Sequence, residues 1–171
     1  TDIAMLGKQF TNRYEAFVEE YGRAIAIHFE PGKFLVSESG SFVTKVNVIK
    51  HTTATVFAGL DTGANHLIRP MFYDAYHHLT NLSNPNGTQR VYTVVGYVCE
   101  TDTFAWDRPL PEVREGDYIC FHNAGAYGIM MASNYNSRFR PAEVLVKPDG
   151  SYALIRRREN LDDLLATQID L

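Results

Sequence analysis

The hydrophobic pattern near the start of the chain combines a helical segment with a strand-like one. In FTNRYEAFVEEYG (10–22), apolar and aromatic positions recur every three or four residues, which predicts a helix. Gly22 is a typical residue to end that helix. The apolar run AIAIHF (24–29) follows directly and predicts a buried strand. Because a helix followed by a buried strand is typical of an α/β unit, this segment predicts one end of an α/β domain.

Beyond residue 40 the pattern changes to short segments rich in β-branched and aromatic residues, and several of them alternate apolar with polar positions. Such segments predict strands. They occur at 42–49, 53–60, 88–100 and 118–123, with a hairpin at 143–158 around the turn PDG. The architecture predicted for this part of the chain is therefore mainly β.

Three stretches interrupt the β pattern. Residues 67–79 are aromatic and contain Pro70, which favours a short helical or irregular piece. Residues 101–117 are polar, contain two prolines and end in EGD, so they predict a loop. The last stretch, 159–171, predicts a helix with four apolar residues on one face, namely Leu161, Leu164, Leu165 and Ile169.

Composition and charge exclude several classes of partner and site. With 171 residues the chain has about one domain's length, and its net charge of −4 without a basic stripe argues against nucleic acid and anionic membranes. No apolar run approaches the ~20 residues that span a bilayer, and the start of the chain lacks signal-peptide features. Two cysteines are too few for a disulfide framework, so we expect reduced thiols and a cytoplasmic location. The six histidines show no metal-ligand spacing, and we predict no metal site.

AGAYG (124–128) is the most particular short motif. Its small residues would let the backbone pass close to a ligand, with Tyr127 as the one projecting side chain. The alternative is a glycine-rich turn with a tyrosine in the core. The polar run NYNSRFRP (134–141) is interpreted as structural, because Asn134, Asn136 and Arg138 can satisfy backbone groups near an interface.

Four segments occur in one order at consistent spacing and resemble a known family. They are EPGK (30–33), DTGANHLIRPMFYDAYHHL (61–79), GYVCETDTFAWDRPLPEVREGD (96–117) and HNAGAYGIMMASNYNSRFRPAEVLV (122–146). Together they resemble the C-terminal part of the diaminopimelate decarboxylases, fold type III pyridoxal-phosphate enzymes that make lysine from meso-diaminopimelate. The resemblance runs from about residue 15 to about residue 160.

The resemblance implies a fold, a cofactor and partners. Residues 1–40 would be the last helix and strand of a TIM-like α/β barrel, and residues 41–171 a β-domain of sandwich or Greek-key-like barrel form with short helices. The cofactor would be pyridoxal 5′-phosphate, whose Schiff-base lysine lies in the preceding barrel portion of the enzyme and not in this chain. The chain alone would therefore be inactive, and the whole enzyme would be a homodimer acting on a small amino-acid substrate.

Two alternatives remain open. The same fold serves ornithine, arginine and carboxynorspermidine decarboxylases, and a catalytically dead relative could act only as a heterodimerising module. A substrate whose distal end is an amino acid needs a cationic fork for the carboxylate and an anion for the ammonium. The pairing of Arg69 with Glu100 suits such a substrate, whereas an enzyme forming a diamine would not need a carboxylate fork.

The resemblance assigns substrate contacts to Glu100 and to four other residues. Arg69 would bind the distal carboxylate bidentately, and Tyr73, four residues on, would share its helical face. Lys33 and Tyr127 would contact both substrate and cofactor. From the residues alone, Arg69 could instead pair with a surface acid.

Cys99 and Glu100 are predicted at the end of the strand 88–100. The resemblance makes Cys99 the catalytic proton donor and Glu100 the partner of the distal ammonium, both acting in the other subunit's site. From the residues alone, a buried small cysteine beside a solvated glutamate is the alternative. The family usually has a carboxylate one place later than Asp102, so the role of Asp102 is open.

The EPGK segment is predicted to contact the cofactor. Glu30, Gly32 and Lys33 follow the last barrel strand, and Gly32 would let backbone N–H groups approach the phosphate. The family normally has arginine where Lys33 stands. Lysine keeps the charge but loses the fork. A plain strand-to-helix turn is the alternative.

Overall fold

The computed structural model describes residues 2–169, which fall into two compact units. The first unit ends at Pro31 and the second begins at Gly32. The assignment of residues 1–40 to the end of a barrel stays a prediction.

The first unit is dominated by one long helix, α1 (Ile3–Tyr21). It begins at Asp2, whose side chain accepts a hydrogen bond from the Met5 N–H, and this satisfies one unpaired donor of the first turn. It ends at Gly22, which has φ +81° and donates its N–H to the Val18 carbonyl, as glycine does at many helix ends. The predicted helix and its end are confirmed, although the helix begins earlier than its apolar pattern indicates.

The strand predicted at 24–29 is wrong, because this segment has no strand partner among the residues that the structure describes. The chain instead runs back along α1. The Tyr14 hydroxyl donates to the Ile25 carbonyl at 2.6 Å, and the Phe29 ring meets the Phe10 ring edge-on at 5.0 Å between centroids. An apolar run pairs as a strand only where neighbouring strands offer it backbone hydrogen bonds.

The second unit is a β structure with three short helices. The helices are α2 (Gly32–Val36), α3 (Arg69–Tyr73) and α4 (Leu161–Leu165). The strands are β1 (Phe42–His51), β2 (Val56–Leu60), β3 (Leu79–Asn81), β4 (Gln89–Val95), β5 (Thr103–Pro111), β6 (Tyr118–Phe121), β7 (Glu143–Val146) and β8 (Tyr152–Arg156). The mainly β class is confirmed.

Six strands form one mixed sheet in the order β3-β6-β1-β2-β4-β5. The β2–β4 pair is parallel and the others are antiparallel. The two edge strands, β3 and β5, approach each other within 8 Å between Cα atoms, so the sheet is a nearly closed barrel. Its interior is the hydrophobic core, in which the largest fully buried side chains are Phe121, Leu60, Leu67, Leu110 and Ile119.

The loop predicted at 101–117 is wrong, because most of it is strand β5. Phe104, Ala105 and Leu110 of this strand are buried in the core, while Trp106 remains exposed. The two prolines lie in the outermost strand of the sheet order, where a missing N–H breaks no central hydrogen bond.

Two further boundaries differ from the pattern. β4 ends at Val95, so the residues that follow it form a loop. The PDG hairpin is confirmed as β7 and β8. The terminal helix ends at Leu165, and Ile169 lies outside it, while positions 170 and 171 lie outside the described residues. Between residues 2 and 169 there is no helix of the length and apolar character that a membrane crossing needs.

Candidate functional site

One cluster of predicted site residues surrounds Arg69. This residue begins α3, with Pro70 directly after it, where proline costs no helical hydrogen bond. The Arg69 guanidinium carbon lies 5.5 Å from the centre of the Tyr73 ring and 5.6 Å from that of Tyr127. Two phenol rings at cation–π distance hold the guanidinium in place. The alternative for Arg69, a surface ion pair, does not occur among the described residues.

Gly32 and Lys33 lie beside this cluster, at the beginning of α2. A Cβ atom on Gly32 would stand 3.1 Å from the Tyr127 hydroxyl oxygen, so this backbone approaches the phenol closely. The charges of Arg69 and Lys33 both act on His77. Burial is the main cause that lowers the pKa of His77, and these two cations lower it further. Arg69 and Lys33 therefore both lie close enough to His77 to disfavour its protonated form.

Two small residues of AGAYG, Ala124 and Gly125, contact another part of this chain's backbone, and the close approach to a ligand stays a prediction. The Ala124 and Gly125 N–H groups donate to the carbonyls of Gly40 and Ser37 at 2.8 and 3.0 Å. A Cβ atom on Gly125 would overlap the Val36 carbonyl oxygen. The small side chains thus let two pieces of this chain's own backbone meet. Because the segment 36–40 follows α2, this contact ties the Tyr127 loop to the helix that carries Gly32 and Lys33.

Cys99 and Glu100 form a second cluster in the loop after β4. The Cys99 thiol donates to Glu100 Oε2 at 3.6 Å, and the Tyr135 hydroxyl donates to Glu100 Oε1. Asn136 Nδ2 lies 4.0 Å from the Cys99 sulfur. Cys99 is exposed, whereas Cys120 is buried. The alternative of a buried Cys99 is therefore wrong.

Hydrogen bonding changes the acidity of two groups in this cluster. The Tyr135 hydroxyl is the main cause that lowers the pKa of Glu100. The same bond raises the pKa of Tyr135 to about 12. A hydrogen bond to a carboxylate favours its charged form, so Glu100 is held as an anion.

Asp102 anchors the loop that carries Cys99 and Glu100. Its two carboxylate oxygens accept the N–H groups of Ala64 at 2.7 Å and of Val98 at 2.9 Å. The side chain is only 6% exposed, and burial raises the pKa of Asp102 against the effect of these bonds. Glycine is required at position 96, since a Cβ atom there would overlap this carboxylate. The open question about Asp102 is answered by these contacts, which give it a structural role.

We expect Asp102→Ala to destabilise the second unit by roughly 2–4 kcal/mol, because the variant leaves two N–H groups without an acceptor. Chemical unfolding followed by circular dichroism measures this change. The matched control is Asp149→Ala, which removes an exposed carboxylate from the β7–β8 turn and should change stability by less than ~1 kcal/mol. Equal stability of Asp102→Ala and the unmodified protein would contradict the anchoring role.

The predicted site residues thus fall into two groups. Arg69, Tyr73, Tyr127 and Gly32 come together, with Lys33 on the same helix as Gly32. Cys99 and Glu100 lie apart from them, and no hydrogen bond or ion pair joins the two groups within residues 32–169. Glu30 belongs to the first unit, and its contact with a cofactor stays a prediction.

Sequence reasoning missed Tyr135, and it gave Asn136 only a structural role. Their run NYN was interpreted as structural, and only Asn134 fits that interpretation, because it donates to the Arg138 carbonyl at 3.0 Å. A tyrosine between two asparagines in a long matched motif was the available signal. Its partner Glu100 lies 35 residues earlier, so the pattern could not reveal the contact.

Known proteins are similar to this chain over most of its length. The family pattern described as "Pyridoxal-dependent decarboxylase, C-terminal sheet domain" matches residues 33–125. The diaminopimelate decarboxylase of Methanothermobacter thermautotrophicus is 42% identical over 98% of this chain and 39% of its own length. A crystal structure of diaminopimelate decarboxylase has a TM-score of 0.81 at 36% identity, over 97% of this chain and 42% of the other.

The M. jannaschii diaminopimelate decarboxylase, solved in complex with L-lysine, has a TM-score of 0.77 at 41% identity. That match covers 82% of this chain and 32% of the other. The chain therefore spans about two fifths or less of the length of the proteins it matches.

Proposed function

Since the chain belongs to the pyridoxal-dependent decarboxylase family through its C-terminal sheet domain, we propose that it is the C-terminal part of a diaminopimelate decarboxylase. The whole enzyme would convert meso-diaminopimelate to L-lysine and CO2 in the cytoplasm. The preceding barrel portion of the same enzyme would supply the cofactor-binding lysine. This proposal is supported by 42% identity to a diaminopimelate decarboxylase over nearly the whole chain.

The observation that carries the substrate assignment is the position of Arg69 against the rings of Tyr73 and Tyr127. A guanidinium held on two aromatic faces keeps its N–H edge available for a carboxylate. The carboxylate at the end distant from the reacting carbon of diaminopimelate is retained in L-lysine, whereas a substrate that is converted to a diamine has no carboxylate at that end. We therefore assign Arg69 to the distal carboxylate.

The residues beside Arg69 fit one edge of pyridoxal phosphate. The phosphate needs donors and a cation, and the Gly32 backbone, the Lys33 ammonium and the Tyr127 hydroxyl offer these. When bound, the cofactor supplies an electron sink for the bond to the departing carboxylate. Lys33 would neutralise phosphate charge, and Tyr127 would fix the orientation of the phosphate edge.

Cys99 would act at the reacting carbon of the substrate, and Glu100 would bind its distal ammonium. In our proposal they project from an exposed loop into the site of the second subunit of a homodimer, where Cys99 donates the proton that replaces CO2. Glu100 would pair with the distal ammonium as an anion, the state that the Tyr135 bond favours. A solvent-facing pair of this kind gains its energetic value only when the partner subunit removes water.

Two rival functions predict different chemistry. The first rival is a decarboxylase for ornithine, arginine or carboxynorspermidine on the same fold. If it formed a diamine, its substrate would have no distal carboxylate for Arg69 to bind. A heterodimerising module without activity would not need Cys99 beside an ionised Glu100. We favour diaminopimelate because both features occur together in this chain.

We expect the complete enzyme to release CO2 from meso-diaminopimelate and to act at least ~100-fold less well on ornithine or arginine, which leave Arg69 unpaired. This chain alone should show no decarboxylation. It should bind pyridoxal phosphate weakly, with no lysine labelled after reduction with borohydride. Equilibrium dialysis and mass spectrometry measure both properties.

The control is the complete enzyme treated in the same way, in which reduction should label one lysine outside this chain. Stoichiometric labelling of a lysine in this chain would overturn the proposal that the cofactor-binding lysine lies in the preceding barrel portion. Preference for ornithine or arginine would overturn the substrate assignment.

A further inference from the structure

We propose that Tyr135 is the positioning residue for Glu100, holding one carboxylate oxygen so that the other faces the Cys99 thiol. The inference rests on the proposed function, since it assigns a new residue to the same site. The Tyr135 hydroxyl donates to Oε1 of Glu100, and the thiol donates to Oε2. The carboxylate is thus fixed from both sides, although the loop that carries it is exposed.

The segment 134–138 is built to present Tyr135 in this direction. Asn136 and Ser137 have φ +55° and +56°, the left-handed conformation that non-glycine residues adopt at a cost. These two residues follow directly after Tyr135 in the chain. Strained backbone persists where the surrounding contacts hold it in place.

Those contacts lie on both sides of the segment. Asn134 Nδ2 donates to the Arg138 carbonyl and to Glu159, and the Glu159 carboxylate also pairs with Arg140 at 2.6 Å. The Arg138 guanidinium carbon lies 4.4 Å from the centre of the Tyr97 ring. Residues 135, 136 and 138 therefore each touch the loop 97–100. Successive contacts along one loop determine its conformation better than one hydrogen bond alone.

Fixing Glu100 has a consequence for substrate binding. A carboxylate with free side-chain rotation must lose that freedom when it binds an ammonium, at a cost in affinity. The hydrogen bond from Tyr135 restricts the rotation of the Glu100 side chain before the substrate binds. The charged and titratable groups facing Glu100 are Tyr135, Cys99 and Asp102, and no cation among the described residues competes for the carboxylate.

The test is Tyr135→Phe in the complete enzyme, which removes only the hydroxyl. With diaminopimelate, kcat/KM should fall about 10- to 100-fold, the size expected for one hydrogen bond to a charged group. With a substrate analogue that has hydrogen in place of the distal ammonium, Tyr135→Phe should lower kcat/KM much less. The acid limb of the pH profile should move to higher pH, because Tyr135 lowers the pKa of Glu100. Tyr152→Phe is the control, as its ring is 80% exposed on β8.

A double-mutant cycle separates positioning from general loop damage. In a Glu100→Ala background, adding Tyr135→Phe should change kcat/KM by no more than about twofold, because the interacting partner is already absent. Equal losses on both substrates, or additive losses in the cycle, would overturn the positioning role and leave Tyr135 as a structural residue.

Phenol titration tests the contact without requiring turnover. Ionised phenols absorb in the near ultraviolet, and Tyr135 should ionise at higher pH than an ordinary tyrosine, because the Glu100 hydrogen bond raises its pKa to about 12. In the Glu100→Gln variant, the number of tyrosines that ionise below that pKa should increase by one. The increase should be absent when Tyr135→Phe is combined with Glu100→Gln. An unchanged titration would overturn the contact. A positive titration in an enzyme inactive on diaminopimelate would refute the proposed function while keeping the Tyr135–Glu100 contact.

Discussion

Mixed dimers of a Glu100→Ala subunit and a subunit without the cofactor-binding lysine are expected to recover about half of the native activity per dimer, although each homodimer is inactive. The physical reason is the cross-subunit role proposed for Cys99 and Glu100. If Glu100 serves the partner's site, one site of the mixed dimer carries both defects and the other carries neither. If Glu100 served its own chain's site, every site would keep one defect.

The experiment needs the two variants purified with different affinity tags, so that mixed dimers can be isolated and counted. Glu100→Ala alone should lower kcat/KM for diaminopimelate at least ~100-fold, because a desolvated ammonium would lose its partner. It should also discriminate less against a substrate without the distal ammonium. Absence of recovered activity in confirmed mixed dimers would remove the cross-subunit role. Mixing the lysine variant with an Asp149→Ala subunit, altered only in an exposed turn, gives the activity of one native site as the reference.

Arg69→Ala in the complete enzyme should lower kcat/KM for diaminopimelate by about 10²–10³-fold, the effect expected when a bidentate pair with a carboxylate is lost. The kcat/KM of Arg69→Lys should lie between those of Arg69→Ala and the native enzyme, because lysine keeps the positive charge but cannot bind a carboxylate bidentately. Steady-state kinetics with both variants measures the effect. If the contact is equally strong in the ground and transition states, the fall in kcat/KM should come mainly from a higher KM, with kcat nearly unchanged.

Arg90→Ala is the matched control, since Arg90 makes an exposed ion pair with Glu112 at 3.1 Å. Such pairs contribute little, so the control should retain native kinetics. Equal kinetics of Arg69→Ala and Arg90→Ala would mean that Arg69 binds no substrate carboxylate.

Local patterns predicted those features whose cause is local. Gly22 ends α1 because glycine accepts a positive φ without strain, and the PDG turn joins β7 to β8 because its residues suit a tight reversal. The alternation of β1, with Thr44 and Val46 buried, follows from a strand with one face in the core. The cluster of Arg69 with Tyr73 follows from a four-residue spacing on a helix.

Patterns failed where the environment overrides local preference. Residues 103–111 contain two prolines and yet form β5, because an edge position in the sheet tolerates a missing donor. Residues 24–29 are apolar and yet form no strand, because a strand requires partners that the described residues do not offer there. The local pattern of AGAYG gives no sign that Gly125 lies against the Val36 carbonyl.

By itself the sequence determined the mainly β class, the end of α1 at Gly22, the PDG hairpin, and the residue types that could bind an amino acid and a phosphate. These depend on neighbours a few positions apart along the chain. Only the tertiary structure decided that Tyr127 meets Gly32, that Asp102 anchors its loop on Ala64, and that Tyr135 holds Glu100. These pairs are separated by 95, 38 and 35 positions. Which distant side chains meet is set by strand order and sheet closure, and no local periodicity encodes that order.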